Sequence, residues 1–322
     1  MEGNPYTYRA PIRDPEAFFG RSAQLRRAIE FILNRACLSL VGEPHCGLTS
    51  LLWYMAGDPF RKQCEAEAGP LVFVYIDCQE LYEPLPIIQH ILKQMAPGSP
   101  IPNIPNWRSL QGRLIRTLGS LRQQEQRRAI ILFDNFEELA SRKEAFEFLE
   151  SLRALAGSMA ETTLITATRT LLKNCCHADV LASPFPNIFR PEFVGPFTEE
   201  EATTFIRVTS ERSGVDLVPY SEQILSLAGC WPYFLQMACW HFYEAAQEGQ
   251  KVGDGPATAF ANEARADYER IWGRLEAEER QCLHDLANGR SLASIDQGLL
   301  TKGYVIDRRI FSSAFAQYVR SL

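Results

Sequence analysis

The segment Gly42-Glu43-Pro44-His45-Cys46-Gly47-Leu48-Thr49-Ser50 has the glycine and hydroxyl spacing of a phosphate-binding loop, G-x-x-x-x-G-K-[ST], with Leu48 at the lysine position. Gly42 and Gly47 let backbone amides turn toward an anion, and the N-terminus of the following helix adds partial positive charge. Thr49 is the hydroxyl such a loop offers to Mg2+, with Ser50 beside it. The absent lysine is the cation that reaches the β- and γ-phosphates. A second constellation is the apolar run Ala129-Ile130-Ile131-Leu132-Phe133 ending in Asp134-Asn135. A strand ending in an acid suits a carboxylate that holds Mg2+, so Thr49 and Asp134 are the metal candidates. The next position, where a carboxylate would polarise the attacking water, is Asn135, and an amide cannot act as a base. A third run, Thr166-Ala167-Thr168-Arg169, places Arg169 at a strand end facing the nucleotide crevice of a parallel sheet, within reach of a γ-phosphate.

These residues need a scaffold, and the patterning supplies one. Short apolar runs at 37–41, 71–76, 129–133, 163–168 and 189–194 read as buried strands. Helical periodicity separates them: from Ser22, a plausible N-cap, to Leu33; from Thr49 onward; near Ile87 to Met95; over Trp107 to Leu121; and over Phe136 to Ala156. Strands alternating with helices predict an α/β fold with a parallel sheet covered on both faces. At Gly195-Pro196-Phe197-Thr198 the pattern becomes helical, with Thr198 capping a helix that opens on three glutamates. Residues 250–257 read as a linker. Helices over 261–275, 276–288 and 291–302, a hairpin over Tyr304–Phe311 turning at Asp307-Arg308-Arg309, and a helix over 312–321 predict a winged helix. The expected domains are therefore a nucleotide-binding sheet domain (1–195), a helical lid (196–257) and a winged helix (258–322).

Composition narrows the function classes. The 322 residues carry a net charge of −6, with 46% hydrophobic and 22% charged residues. That balance disfavours nonspecific nucleic-acid binding, which rests on phosphate neutralisation by basic surfaces. Residues 258–322 hold nine basic and nine acidic side chains, and 291–302 hold one lysine and Asp296, so only Arg308-Arg309 suggests a phosphate contact. The nine cysteines are odd in number and form no Cys-x-x-Cys, which fits a reducing compartment. Cys175-Cys176-His177 lacks the second ligand pair a metal site needs. Met1–Arg13 shows no apolar signal region and no run of about 18 apolar residues occurs, so a cytoplasmic protein without a membrane span is expected.

Taken in order, Asn4-Pro5-Tyr6, Phe19-Gly20-Arg21, Gly42 to Thr49, Ile130 to Asp134, Thr168-Arg169 and Leu227-Ala228-Gly229-Cys230-Trp231-Pro232-Tyr233-Phe234-Leu235-Gln236 resemble the bacterial and archaeal STAND NTPases over about residues 4–321. These are signal-transduction ATPases of the AAA+ superclass, related to NLR immune receptors and origin-recognition ATPases. The resemblance implies that Arg21 and the Asn4–Tyr6 segment lie near the adenine. It implies that Pro232 is the proline of the lid's Gly-x-Pro motif, with Cys230 at its glycine. It also implies a regulatory winged helix that closes over the nucleotide, with ADP holding a closed monomer and ATP allowing opening and oligomerisation.

The expected ligand is ATP or ADP with Mg2+, held by Arg21, Gly42, Gly47, Leu48, Thr49, Ser50, Asp134, Arg169 and Pro232. Leu48 and Asn135 remove a cation and an acid from one chemical step, so little or no hydrolysis is expected and no residue is assigned as catalytic. The expected function is a pseudo-ATPase regulator or adaptor that acts on a protein partner in trans, with homo-oligomers conceivable, in bacterial signalling or defence. Three alternatives stand beside it: a loop that no longer takes nucleotide, a DNA-binding AAA+ protein of the origin-recognition or transposition-regulator kind, and a working ATPase with a rebuilt site.

Overall fold

The computed structural model describes residues 3–100, 106–158, 162–247 and 254–322. They form two compact units: Ile12–Pro44 with Leu48–Val194, and the N-terminal residues through Pro11 with His45–Gly47 and Gly195–Leu322. Among the described residues no helix is long and apolar enough to cross a membrane.

The first unit runs α1 (Ser22–Leu33), β1 (Cys37–Val41), α2 (Leu48–Ala56), α3 (Asp58–Ala68), β2 (Leu71–Asp77), α4 (Pro84–Met95), α5 (Trp107–Glu125), β3 (Arg128–Asp134), α6 (Glu137–Ala140), α7 (Phe146–Ser158), β4 (Thr162–Thr168), α8 (Leu172–Cys175), α9 (Ala178–Leu181) and β5 (Phe189–Phe193). The five strands make one parallel sheet in the order β2-β3-β4-β1-β5. Every residue of β1 and β4 is buried, Ser39 and the four threonines of β4 included, as expected of strands covered on both faces. This register brings the C-terminal ends of β2, β3 and β4 together, with Asp77 opposite Asp134.

Four local expectations are corrected here. The single helix expected over 136–156 is two helices separated by a 3-10 turn at Lys143–Ala145. Phe136 and Phe148 are both fully buried. Twelve residues apart on one helix, they would point about 120° apart; the extended backbone at Arg142 (φ −92°, ψ 131°) rephases the chain so that both reach the core. Ser22 is the first helical residue of α1 and not its cap, which is Arg21 in a left-handed conformation with no side-chain cap bond. The helix expected over 291–302 is shortened to 297–302 because Asp296 accepts the Leu299 amide at 3.1 Å and starts it there. Of the linker expected over 250–257, Gly255-Pro256-Ala257 form the first turn of a helix, and 250–253 lie outside the described residues.

The second unit contains α10 (Glu199–Ser213), α11 (Ser221–Ala228), α12 (Pro232–Gln247), α13 (Gly255–Arg274), α14 (Ala277–Ala287), α15 (Gln297–Lys302), the hairpin β6 (Val305–Ile306) and β7 (Arg309–Ile310), and α16 (Ser313–Arg320). Thr198 and Glu201 form the expected capping box on α10. The hairpin turns through Asp307 and Arg308, both at positive φ, which matches the twist of a two-residue hairpin loop. Trp231 is the hub: it is 1% exposed, stacks on Tyr304 with centroids 5.5 Å apart, and donates to the Gly303 carbonyl at 3.3 Å. The N-terminal segment is strapped to the helices. Tyr6 is fully buried against Phe205 and Tyr243, the Asn4 amide donates to the Trp240 carbonyl at 3.2 Å, and the Thr7 amide donates to Gln236 at 3.0 Å.

Candidate nucleotide site

Strand β1 ends at Val41, Gly42 donates to the Thr168 carbonyl at 3.0 Å, and α2 opens at Leu48. Strand, loop and helix therefore follow in the order a phosphate loop requires. His45 and Gly47 both have positive φ, 77° and 86°. Glycine adopts that conformation freely, whereas for histidine it is uncommon and costs backbone energy.

At the sheet's C-terminal end, Asp134 is 2% exposed and accepts from the Tyr75 hydroxyl at 2.9 Å and the Asn135 amide at 3.0 Å, with the Thr49 hydroxyl near enough to favour its charged form. Thr49 and Asp134, chosen independently from the sequence, thus meet. Burial raises the Asp134 carboxyl above its ordinary value and the neighbouring Asp77 adds to this, while the Tyr75 and Thr49 hydrogen bonds pull it back. Asn135, at φ 49°, turns its side-chain amide to Asp77 at 3.1 Å. A short polar side chain tolerates that conformation. Asn135 is thus engaged in tying two strand ends together and does not face outward as a free group.

Arg169 is half-exposed, and its Nε lies 3.3 Å from Glu137, whose carboxyl is raised by burial and held down in part by Arg169. The expected γ-phosphate cation therefore already has an anionic partner. The Ser50 hydroxyl accepts the Ile12 amide at 2.9 Å, which anchors the N-terminal segment and occupies a group expected on the phosphates. Arg21 is 3% exposed. Tyr75, Asp77 and Glu137 carry the site's hydrogen bonding and charge; from sequence Glu137 is expected to point elsewhere on its helix, yet it pairs with Arg169, and neither Tyr75 nor Asp77 is assigned a role. The strand-terminal position of Asp77 was the available signal; nothing local marks Tyr75.

The loop tip, His45–Gly47, belongs with the second unit. The His45 ring packs 4.1 Å from Tyr233, its Nε2 is 3.7 Å from Asp267, and its carbonyl accepts the Tyr233 amide at 3.4 Å. Tyr233 and Arg270 also donate to Asp267, at 2.9 and 2.7 Å. Burial pushes the His45 imidazole down, and the Asp267 carboxylate opposes that. Pro232 lies beside Gly47: a Cβ on that glycine would meet the Pro232 Cβ at 4.0 Å. Cys230, at the expected lid glycine, is not among the residues with positive φ; the left-handed position is Gly229, one residue earlier.

A buried charged Asp134 has a stability consequence. Its folded-state pKa lies above the unfolded value, so the ionised side chain opposes folding above that range, and the penalty fades as pH falls. Asp134→Asn keeps an acceptor for the Asn135 amide, and the Tyr75 hydroxyl can turn to accept from the new amide. We expect the variant to be more stable by about 1 kcal/mol at neutral pH. Thermal melts between neutral and acid pH should show the gap closing on acidification; a gap that widens would refute the assignment.

The sequence model described as novel STAND NTPase 2 matches residues 46–292. No curated protein matches. Among solved structures, the Walker-type ATPase PABY2304 of Pyrococcus abyssi is similar over 98% of this chain and 99% of its own, at 17% identity and a TM-score of 0.66. The ADP form of the Aeropyrum pernix ORC2 protein is similar over 99% and 88%, at 14% identity and 0.60. The Aeropyrum pernix ORC1 protein in complex with DNA is similar over 94% and 93%, at 15% identity and 0.56. At these identities the likeness is one of fold: a parallel five-stranded sheet with flanking helices and a helical C-terminal region.

Proposed function

The chain belongs to the novel STAND NTPase 2 family, and on that premise we propose that it is a nucleotide-binding regulatory module that hydrolyses ATP slowly or not at all and acts through protein partners. The observation that carries this reading is the contact between Thr49 and Asp134 at the mouth of a phosphate-type loop, with Leu48 and Asn135 in place of the lysine and the acid. On this reading the chain keeps the binding half of the chemistry and lacks the hydrolytic half. Loop amides from Gly42 to Thr49 would take the phosphates, with Arg21, Arg169 and Pro232 completing the set the resemblance implies. Thr49 and Asp134 are hard oxygen donors that suit Mg2+. Phosphate oxygens and waters would complete the shell. The domain division proposed with this reading is a sheet domain (1–195), a lid (196–257) and a winged helix (258–322).

Calorimetry with ATP and with ADP, each with Mg2+, tests it directly. The expected result is saturable binding that Thr49→Ala weakens, with steady-state phosphate release near background. No heat with either nucleotide would leave a nucleotide-free adaptor. Phosphate release at ordinary ATPase rates, abolished by Thr49→Ala, would establish a rebuilt enzyme and end the pseudo-ATPase reading.

A further inference from the structure

Between α14 and the segment leading into α15 the surface forms an open groove of about 710 Å3. Ala277, Cys282, Leu292 and Ile295 give it an apolar floor, and Glu278, Asp285 and Asp296 give it an acidic rim. No lysine or arginine is among the residues that line it. Glu278 has no ion-pair partner among the described residues. Asp285 is paired with Arg290 at 2.7 Å, and Asp296 caps α15. On α15 itself Leu300 stands 39% exposed, and on the hairpin Ile306 stands 41% exposed. Large apolar side chains on the outer side of such a helix are unsuited to a phosphate backbone.

Several basic groups of this region are engaged within the chain, while Arg309 on the hairpin is exposed. Lys302, the one lysine of the helix, lies 2.6 and 2.8 Å from the two oxygens of Glu279, which is 5% exposed. Arg308 at the hairpin tip donates to the Leu292 carbonyl, and Arg280 donates to the carbonyls of Trp272 and Gly273 at 3.1 and 3.2 Å. Duplex binding depends on cations free to replace counterions on phosphate. The groove itself is lined by three acids and by no cation, which disfavours a nucleic acid there and favours a cationic chain.

We propose that this groove docks a short protein segment that carries arginine or lysine beside large apolar side chains. The apolar residues would cover the floor at roughly 25 cal/mol per Å2 buried, and the cations would meet Glu278, Asp285 and Asp296. The proposal rests on the partner-acting half of the function above and is independent of nucleotide, so a failed nucleotide titration leaves it standing.

The test uses the full chain and a fluorescent peptide alternating arginine and leucine, with a glutamate–leucine peptide and a duplex oligonucleotide as comparisons. The expected result is saturable anisotropy with the basic peptide, at least about tenfold weaker with the acidic one, and no binding of the duplex. Glu278→Gln and Ile295→Ser should each weaken the basic peptide several-fold. Since Ile295→Ser could disturb the fold, alkylation of Cys282 in the unaltered protein, read by mass spectrometry, gives a second measure: bound peptide should slow it. A basic peptide that binds without protecting Cys282, no saturable binding, or protection of Cys282 by the duplex would each overturn the proposal.

Discussion

Leu48→Lys should bind ATP with Mg2+ at least about tenfold more tightly than the unaltered chain. Leu48 is the first residue of α2 and only partly buried, so replacing it costs little packing. Around it the loop is otherwise complete: Gly42 and Gly47 are in place, and Thr49 reaches Asp134. A lysine there would add charge-assisted hydrogen bonds to phosphate, worth about 1.5–3 kcal/mol, or roughly ten- to 150-fold in affinity. Leu48→Met is the size control and should leave affinity unchanged. Equal affinities in all three proteins would mean that the loop no longer presents its amides to phosphate, whatever residue follows Gly47.

Hydrolysis should respond less than binding. Restoring the lysine leaves position 135 without a base, and Asn135 cannot simply become glutamate. Its φ of 49° suits a short polar side chain, and its amide donates to Asp77. A glutamate there would crowd a third carboxylate against Asp77 and Asp134, one of which is already raised by burial. The two departures from an ordinary ATPase therefore differ in depth: Leu48 is a peripheral omission, whereas Asn135 is built into the strand-end hydrogen bonding.

That difference marks what can be read from residue types. The sheet was legible because β1 and β3 are largely apolar and β4 is rich in β-branched residues, as suits buried strands. Thr49 and Asp134 were legible because each sits at a fixed offset from an element end. Tyr75 and Glu137 were not, since a hydroxyl from one strand and a carboxylate from a short helix reach the site only through the β2-β3 register and the break after Ala140. The resemblance drew attention to Cys230 at the lid glycine, yet the backbone asks for glycine at 229. A motif aligned by residue type does not say which residue carries the unusual dihedral.

Gly229→Ala should therefore be among the most damaging single changes in the second unit. Gly229 ends α11 at φ 64° and ψ −160°, a region almost closed to residues with a Cβ. That Cβ would clash with the Phe311 carbonyl oxygen and lie 3.0 Å from the Phe311 ring. Backbone atoms cannot swing away, and Phe311 packs against Trp231 and Phe234, so relief would displace the aromatic hub. Strain of about 1–3 kcal/mol plus the clash gives an expected loss of about 3 kcal/mol or more. Gly214→Ala is the internal control. It also ends a helix, α10, at φ 73°, but has open space around its Cβ, so it should cost only about 1 kcal/mol. Thermal or denaturant unfolding should show the Gly229 variant losing more, through its dihedral strain and the Phe311 contact together, since Gly214 has the ordinary left-handed cap conformation. If they lose the same stability, neither the close approach of Phe311 nor the dihedral at 229 requires glycine more strictly than an ordinary helix cap does.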